Sequence, residues 1–262
     1  MPDDLVLCDV AENIAIVTMN RPSALNALSD ALLDELTQTL TRIAGDPSIK
    51  ALVIRGAGKV FCAGHDLKEM QAGRQSEDQG AAYFADLFSR CGSLMQLIPK
   101  MPQPVIAQAH GIATAAGCQL VASCDMAVAS EDCRFGVNGV NIGLFCSTPM
   151  VALTRNLPRK QAFEMLTTGE FIPANRAREV GLINRTAAPE DLDATTLSLA
   201  KTVASKLGAA VRIGKQAFYD QINLPLDQAY AHTGAVMVDN MLLRDTDEGI
   251  TAFVEKRKPD WA

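Results

Sequence analysis

Short apolar runs and longer stretches of helical periodicity alternate along the chain. Residues 14–18, 51–54 and 105–109 are largely apolar runs of strand length, and short strands are expected near 125–129 and 134–135. Leu32, Leu33, Leu36, Leu40 and Ile43 recur at helical spacing behind Ser29, an N-cap residue type, and Gly45-Asp46-Pro47 ends that helix. Helices are also expected over 67–70, over 81–98 and from Ala115 onward. Beyond Met150 the pattern is mainly helical, at 149–155, 159–167, 174–180 and 189–207, with one strand at 182–185. Three amphipathic helices, 209–220, 226–243 and 247–256, complete the chain and need an apolar surface to pack on, within the chain or on a neighbouring subunit.

The succession strand, strand, helix recurs about three times without sequence identity between the units. This predicts an α/β spiral of ββα units over residues 1–192, followed by a helical region over 193–262, instead of a simple doubly wound sheet.

Two strand-to-helix turns carry candidate chemistry. The strand at 105–109 passes through Gly111 into residues 113–117, Ala-Thr-Ala-Ala-Gly, which leave the main chain nearly bare where a helix begins. The first N–H groups of a helix lack internal partners, so such a turn suits a developing negative charge; the alternative is that the small residues serve tight strand–helix packing. The second turn, Phe61-Cys-Ala-Gly-His-Asp-Leu-Lys-Glu-Met, follows the strand at 51–54, turns at Ala63-Gly64 and opens a helix with Asp66 as N-cap. Two turns that each offer free amides would suit an oxyanion hole.

Composition narrows the classes. The 262 residues are 48% hydrophobic, enough for a substantial core. The net charge of −6, with 24 basic against 30 acidic residues, does not suit a nucleic-acid partner, which needs a basic face. Seven scattered cysteines without a Cys-x-x-Cys pair read as reduced thiols, with no metal site. The acidic N-terminus lacks the features of a signal or transit peptide and no run has the length of a membrane span, so a cytoplasmic location without membrane contact is expected. A dinucleotide fingerprint, a phosphate loop and a Gly-x-Ser-x-Gly elbow are all missing.

The motifs Asn20-Arg-Pro-Ser-Ala-Leu-Asn-Ala-Leu, residues 61–70, His110-Gly-Ile-Ala-Thr-Ala-Ala-Gly-Cys-Gln-Leu, Phe135-Gly136 and Gly249-Ile-Thr-Ala-Phe-Val-Glu-Lys-Arg-Lys-Pro together resemble the crotonase, or enoyl-CoA hydratase/isomerase, superfamily. The resemblance covers essentially the whole chain and is nearest to a mitochondrial subgroup. It implies a crotonase-like spiral with a C-terminal helical trimerisation region, assembly as a homotrimer or homohexamer, and an acyl-CoA thioester as ligand, with CoA part of the substrate and no separate cofactor. By motif position the two amides of the oxyanion hole belong to His65 and Ala116. Ser23, Ala24, Ala63, Asp66, Leu67 and Lys68 match positions along the CoA channel, and Phe253 and Lys256 match tail positions that reach the CoA nucleotide, often from a neighbouring subunit. Ser23 replaces a lysine common at that loop position, removing one phosphate contact.

The same resemblance places the two glutamates of family hydratases, one activating water and one exchanging a proton at Cα, at Gln119 and Gly139. Neither residue transfers a proton at neutral pH, and losing a general acid or base typically costs about 10²- to 10⁴-fold in rate. The expected activity is a nominal enoyl-CoA hydratase, a lyase, with thioester activation retained and its usual acid and base absent; the alternative is an acyl-CoA-binding oligomer with little catalysis. Substitutes come from His65, Cys146, Asn138, Asn141 or the rim acids Glu69, Glu77, Asp78 and Asp86, while Met95, Ile98 and Leu144 are expected at the acyl pocket.

Overall fold

A computed structural model describes residues 4–261. Its centre is a six-stranded sheet, and the order of elements along the chain shows how the sheet is wound. Strands β1 (Val6–Ala11) and β2 (Ile14–Met19) form an antiparallel edge, helix α1 (Asp30–Ala44) follows, and β3 (Ala51–Gly56) lies parallel to β2. Helices α2 (Leu67–Gly73) and α3 (Ala81–Lys100) lead to β4 (Val105–Ala109), again parallel. Then come β5 (Ile112–Thr114), α4 (Ala116–Ser123), β6 (Met126–Ser130) and β7 (Arg134–Gly136). Helices α5 (Ser147–Asn156) and α6 (Arg159–Thr168), the short β8 (Ile172–Pro173), α7 (Ala174–Glu179) and β9 (Arg185–Ala187) complete the spiral. The order β1-β2-β3-β4-β6-β9 makes the main sheet, and β5-β7-β8 a small second sheet, so that β4 and β6 are each followed by a strand of the second sheet, β5 and β7, before the chain turns into a helix.

Alternation along the parallel strands explains the layers. On β3, Leu52 and Ile54 join the larger core with Leu32, Leu33, Leu36 and Leu40 of α1, and with Leu87, Leu94 and Ile98 of α3. Ala51 and Val53 face the other way, where α8 (Leu192–Ala204) covers them with Leu192, Leu199 and Ala200. Each fully buried leucine or isoleucine contributes about 1.5–3 kcal/mol of transfer free energy. The main sheet therefore has helices on both faces, and its strands read as nearly continuous apolar runs. The helix at the expected 192/193 boundary is thus part of this packing.

Several sequence expectations hold closely. Ser29 Oγ accepts from Leu32 N at 3.2 Å and Asp66 Oδ1 from Lys68 N at 2.9 Å, the expected caps. Others need correction. Strand β1 was not expected; it is an edge strand on which only Val6 is buried, while Leu7, Asp9 and Val10 are exposed. The strand expected at 182–185 is Arg185–Ala187. Asn184 takes over the pairing ahead of it, its Oδ1 accepting from Ala127 N at 2.8 Å, while Leu182 and Ile183 bury in the preceding connection. The single helix expected over 189–207 divides into a 3-10 turn, Pro189–Asp191, and α8.

The last three helices are α9 (Gly208–Gln221), α10 (Leu226–Met241) and α11 (Arg244–Val254). α9 is pinned to the body by a buried polar cluster. Lys215 Nζ donates to Ile98 O at 2.9 Å, Gln103 O at 2.8 Å and Asp125 Oδ2 at 2.6 Å, using all three ammonium protons. Tyr219 donates to Asp125 Oδ1 at 2.8 Å. α10 buries no residue and packs on α9 and α11, leaving Leu226, Tyr230, Val238 and Leu242 exposed. No helix among the described residues is long and apolar enough to cross a membrane.

Candidate active site

The two turns singled out in the sequence lie side by side because the chain after β3 pairs with the chain after β4. Phe61 N donates to His110 O at 2.9 Å, Cys62 N to Ile112 O at 3.2 Å and Thr114 N to Cys62 O at 3.0 Å. Gly64 completes the approach. Its φ is +93°, and a Cβ there would meet Ala115 Cβ at 3.0 Å and Ala116 N at 3.5 Å, so the close contact requires glycine.

This geometry leaves two amides unengaged. Gly64 O accepts from Leu28 N at 2.7 Å and Asp66 N donates to Leu28 O at 3.3 Å. As in any parallel bridge, the residue between, His65, turns its own N–H to the opposite side. Ala116 is the first residue of α4, where no intrahelical acceptor exists. Ala115 before it has φ 50° and ψ −119°, a conformation alanine adopts only under strain of order 1–3 kcal/mol, held by Ala115 N donating to Gly136 O at 2.9 Å. Among the described residues neither the His65 nor the Ala116 N–H has a recorded acceptor.

A third segment braces both turns. Asn26, fully buried, donates through Nδ2 to Ala57 O at 2.8 Å, Val60 O at 2.9 Å and Phe61 O at 3.2 Å. Arg21 Nη1 pairs with Asp66 Oδ2 at 2.6 Å, and Ala63 N donates to Leu25 O at 3.1 Å. Burial alone would raise the Asp66 carboxyl, but Arg21 and the amides of Lys68 and Glu69 outweigh it and hold it below the ordinary value. The sequence reading had Arg21 and Asn26 inside a motif but gave them no role; two polar side chains ahead of an apolar helix were the available signal. Ser23 and Ala24 sit on the neighbouring 3-10 turn, Pro22–Ala24, which Leu25 ends, and Leu67 and Lys68 open α2 behind the Asp66 cap. Phe253, 85% exposed, and Lys256 stand apart from these on α11 and just beyond it.

The two expected glutamate positions differ. Gln119 is buried in the first turns of α4, 4% exposed, and its Oε1 has no hydrogen-bond partner. Gly139 lies in a 3-10 turn, Asn138–Ile142, where a Cβ would collide with the Leu144 carbonyl and meet Cys146 Sγ at 2.9 Å. Asn138 Oδ1 accepts from Thr114 Oγ1 at 2.6 Å.

The candidate substitutes for the carboxylates are poorly suited to proton transfer. Burial pushes the His65 imidazole below its usual pKa, opposed in part by the Leu28 backbone, and neither ring nitrogen makes a hydrogen bond of ordinary geometry. The ring packs edge-on against Phe88 at 5.8 Å. Burial raises the Cys146 thiol and takes that of Cys118 up to about 12. Glu69 accepts from Asp30 N at 2.8 Å, Asp86 pairs with Arg90 at 2.6 Å, and Asp78 accepts from Ala82 N at 2.8 Å, so these rim acids are committed to structure. Asn141 donates to Gly169 O at 3.4 Å. Glu77 is exposed. Of the expected acyl-pocket residues, Met95 and Ile98 are buried and Leu144 is 42% exposed. Among the described residues no group of three or more His, Cys, Asp or Glu could hold a metal ion.

Relatives share this architecture. The mouse enoyl-CoA hydratase domain-containing protein 3, mitochondrial, is 45% identical over 251 residues, 96% of this chain and 82% of that protein. The crystal structure of the human enoyl Coenzyme A hydratase domain-containing protein 3 superposes with a TM-score of 0.94 at 44% identity, covering 98% of this chain and 100% of that one. An enoyl-CoA hydratase structure from Mycobacterium smegmatis gives 0.95 at 50% identity over 99% of both chains. The profile of the family described as enoyl-CoA hydratase/isomerase matches residues 9–262, and the chain belongs to that family, with the crotonase fold.

Proposed function

We propose that the chain binds acyl-CoA thioesters and stabilises negative charge on the thioester oxygen with the N–H groups of His65 and Ala116. The observation that carries this reading is the contact of Gly64 with the Thr114–Ala116 turn, which sets two unengaged amides beside each other. An oxyanion-hole donor is worth on the order of 10²- to 10³-fold in rate and here comes from backbone, independent of the lost carboxylates. CoA would run along Ser23, Ala24, Ala63, Asp66, Leu67 and Lys68. No separate cofactor is part of this reading.

The exposed apolar face of α10 supports assembly as a homotrimer or homohexamer, in which Phe253 and Lys256 of one copy approach the CoA of another. The seven unpaired cysteines support a reducing compartment such as the cytoplasm. Animal relatives are named mitochondrial, and a mitochondrial matrix meets the same condition.

Loss of the conjugated-enoyl absorbance of crotonyl-CoA, beside calorimetric binding of butyryl-CoA, tests the reading. Butyryl-CoA binding that is lost in an Ala116→Pro variant is expected, with hydration of crotonyl-CoA slower by at least about 10²-fold than a two-carboxylate hydratase achieves. Absence of thioester binding sinks it. The closed backbone at Gly139 favours a second reading, a binding or regulatory oligomer with little turnover, which gains if thioesters bind and none is converted.

A further inference from the structure

The C-terminal residues close on themselves. Helix α11 ends in a Schellman motif, in which Lys256 N donates to Phe253 O at 3.2 Å and Arg257 N to Ala252 O at 3.0 Å. The residue at the reversal of such a motif is usually glycine, and here it is Lys256, at φ 58°. Lysine does not favour that backbone, so the reversal depends on what holds the segment after it.

The holding group is Glu248, in the first half of α11. Its Oε1 accepts from Arg257 Nη1 at 2.6 Å and from Asp260 N at 2.7 Å, and its Oε2 accepts from Arg257 Nη2 at 2.9 Å. Such a two-pronged pair of guanidinium and carboxylate fixes orientation as well as distance. Arg244 Nη1 donates to Asp260 O at 3.1 Å, and the Trp261 ring lies over Gly249, where a Cβ would come within 2.9 Å of it. The tail therefore returns along its own helix. At the closed end Phe253 is the most exposed large apolar side chain among the described residues, and there too the Lys256 ammonium pairs with no carboxylate.

We propose that Glu248 and Arg257 are positioning residues for the nucleotide end of an acyl-CoA, holding the Phe253 ring and the Lys256 ammonium outward for the ligand of a neighbouring copy. The proposal rests on the acyl-CoA reading above and deepens it. An aromatic face stacks on a base, and an ammonium is a point charge for phosphate. The two residues are three apart and joined by the Lys256 N to Phe253 O bond, so closing the tail fixes both at once. Arg257 has Nε engaged by Glu255 at 2.6 Å and both Nη atoms by Glu248, so it acts through Lys256 and makes no contact of its own with the ligand.

The test measures, by calorimetry on the full chain, the affinities for butyryl-CoA and for butyryl-pantetheine, which keeps the thioester and lacks the nucleotide. The wild type is expected to bind butyryl-CoA the more tightly. Glu248→Ala and Arg257→Met are each expected to weaken butyryl-CoA binding on the order of 10-fold and to leave butyryl-pantetheine binding unchanged. Arg257→Lys, which keeps a single-pronged pair, is expected to lose less. Thermal midpoints accompany every variant, and Arg257→Met carries the test if Glu248→Ala does not fold. An equal loss for both ligands assigns the tail to general stability and overturns the proposal, as does butyryl-CoA affinity unchanged in both variants. A wild type that binds butyryl-CoA no more tightly than butyryl-pantetheine overturns it and leaves the acyl-CoA reading standing. Absence of butyryl-CoA binding overturns both.

Discussion

Gln119 and Gly139 occupy the two positions where the family resemblance places glutamates, and they have lost the carboxylate in different ways. At Gln119 the side chain keeps its length and its burial, and only the charge is gone. At Gly139 the side chain is gone and the backbone has taken its space, with the Leu144 carbonyl and Cys146 Sγ where a Cβ would lie. The first position is altered in chemistry and the second in shape. A chemical change is undone by one atom, whereas a change of shape requires residues 139–146 to move, so the two positions are not equivalent steps away from a hydratase.

The largest effect expected is at the closed position. Gly139→Glu must displace the turn that follows it, and thermal or denaturant unfolding should show a loss of about 3 kcal/mol or more. A variant of unchanged stability would mean that the turn is pliable and the contrast drawn above is false. Gln119→Glu should fold with a loss of about 1 to 2 kcal/mol at pH 7, because burial raises the carboxyl and penalises its charge. Measuring both variants in one series compares the two positions directly.

Two smaller effects sharpen the frame in which Gln119 sits. Ala115→Gly relieves the strained residue ahead of α4 and should raise the stability by about 1 kcal/mol, since the strain of roughly 1–3 kcal/mol exceeds the entropy added to the unfolded chain. The smallest effect concerns His65, whose folded pKa lies below its unfolded value near 6.5. Between the two the unfolded chain binds the extra proton, so the stability owed to the neutral ring is complete above about pH 6.5 and falls as pH drops towards the folded pKa. His65→Phe should lack this increment of acid sensitivity, visible as a shallower fall of the melting temperature between pH 7 and 5.

Much of this was legible in the sequence for physical reasons. The central strands are buried on both faces and therefore read as uninterrupted apolar runs, and the caps at Ser29 and Asp66 follow from residue type. The pairing of the two turns was legible only as two separate stretches of small residues, because the hydrogen bonds that join Cys62 to Ile112 and Thr114 are main-chain bonds without a side-chain signature. Closure at Gly139 was not legible, since a glycine reports that a side chain is missing and not what has moved into its place. Nor was the cluster in which Lys215 and Tyr219, one turn apart on α9, meet Asp125, 90 and 94 residues away along the chain.

That cluster also decides how α9 and the helices beyond it are held. With Lys215 anchored to three oxygens from the body, the exposed α10 is presented by a bracket whose direction is set within one chain. The conformational entropy of orienting that surface is met during folding, ahead of any encounter. A second surface docking on α10 would thus meet a preset shape, and loosening the bracket would weaken docking without altering one residue at the point of contact.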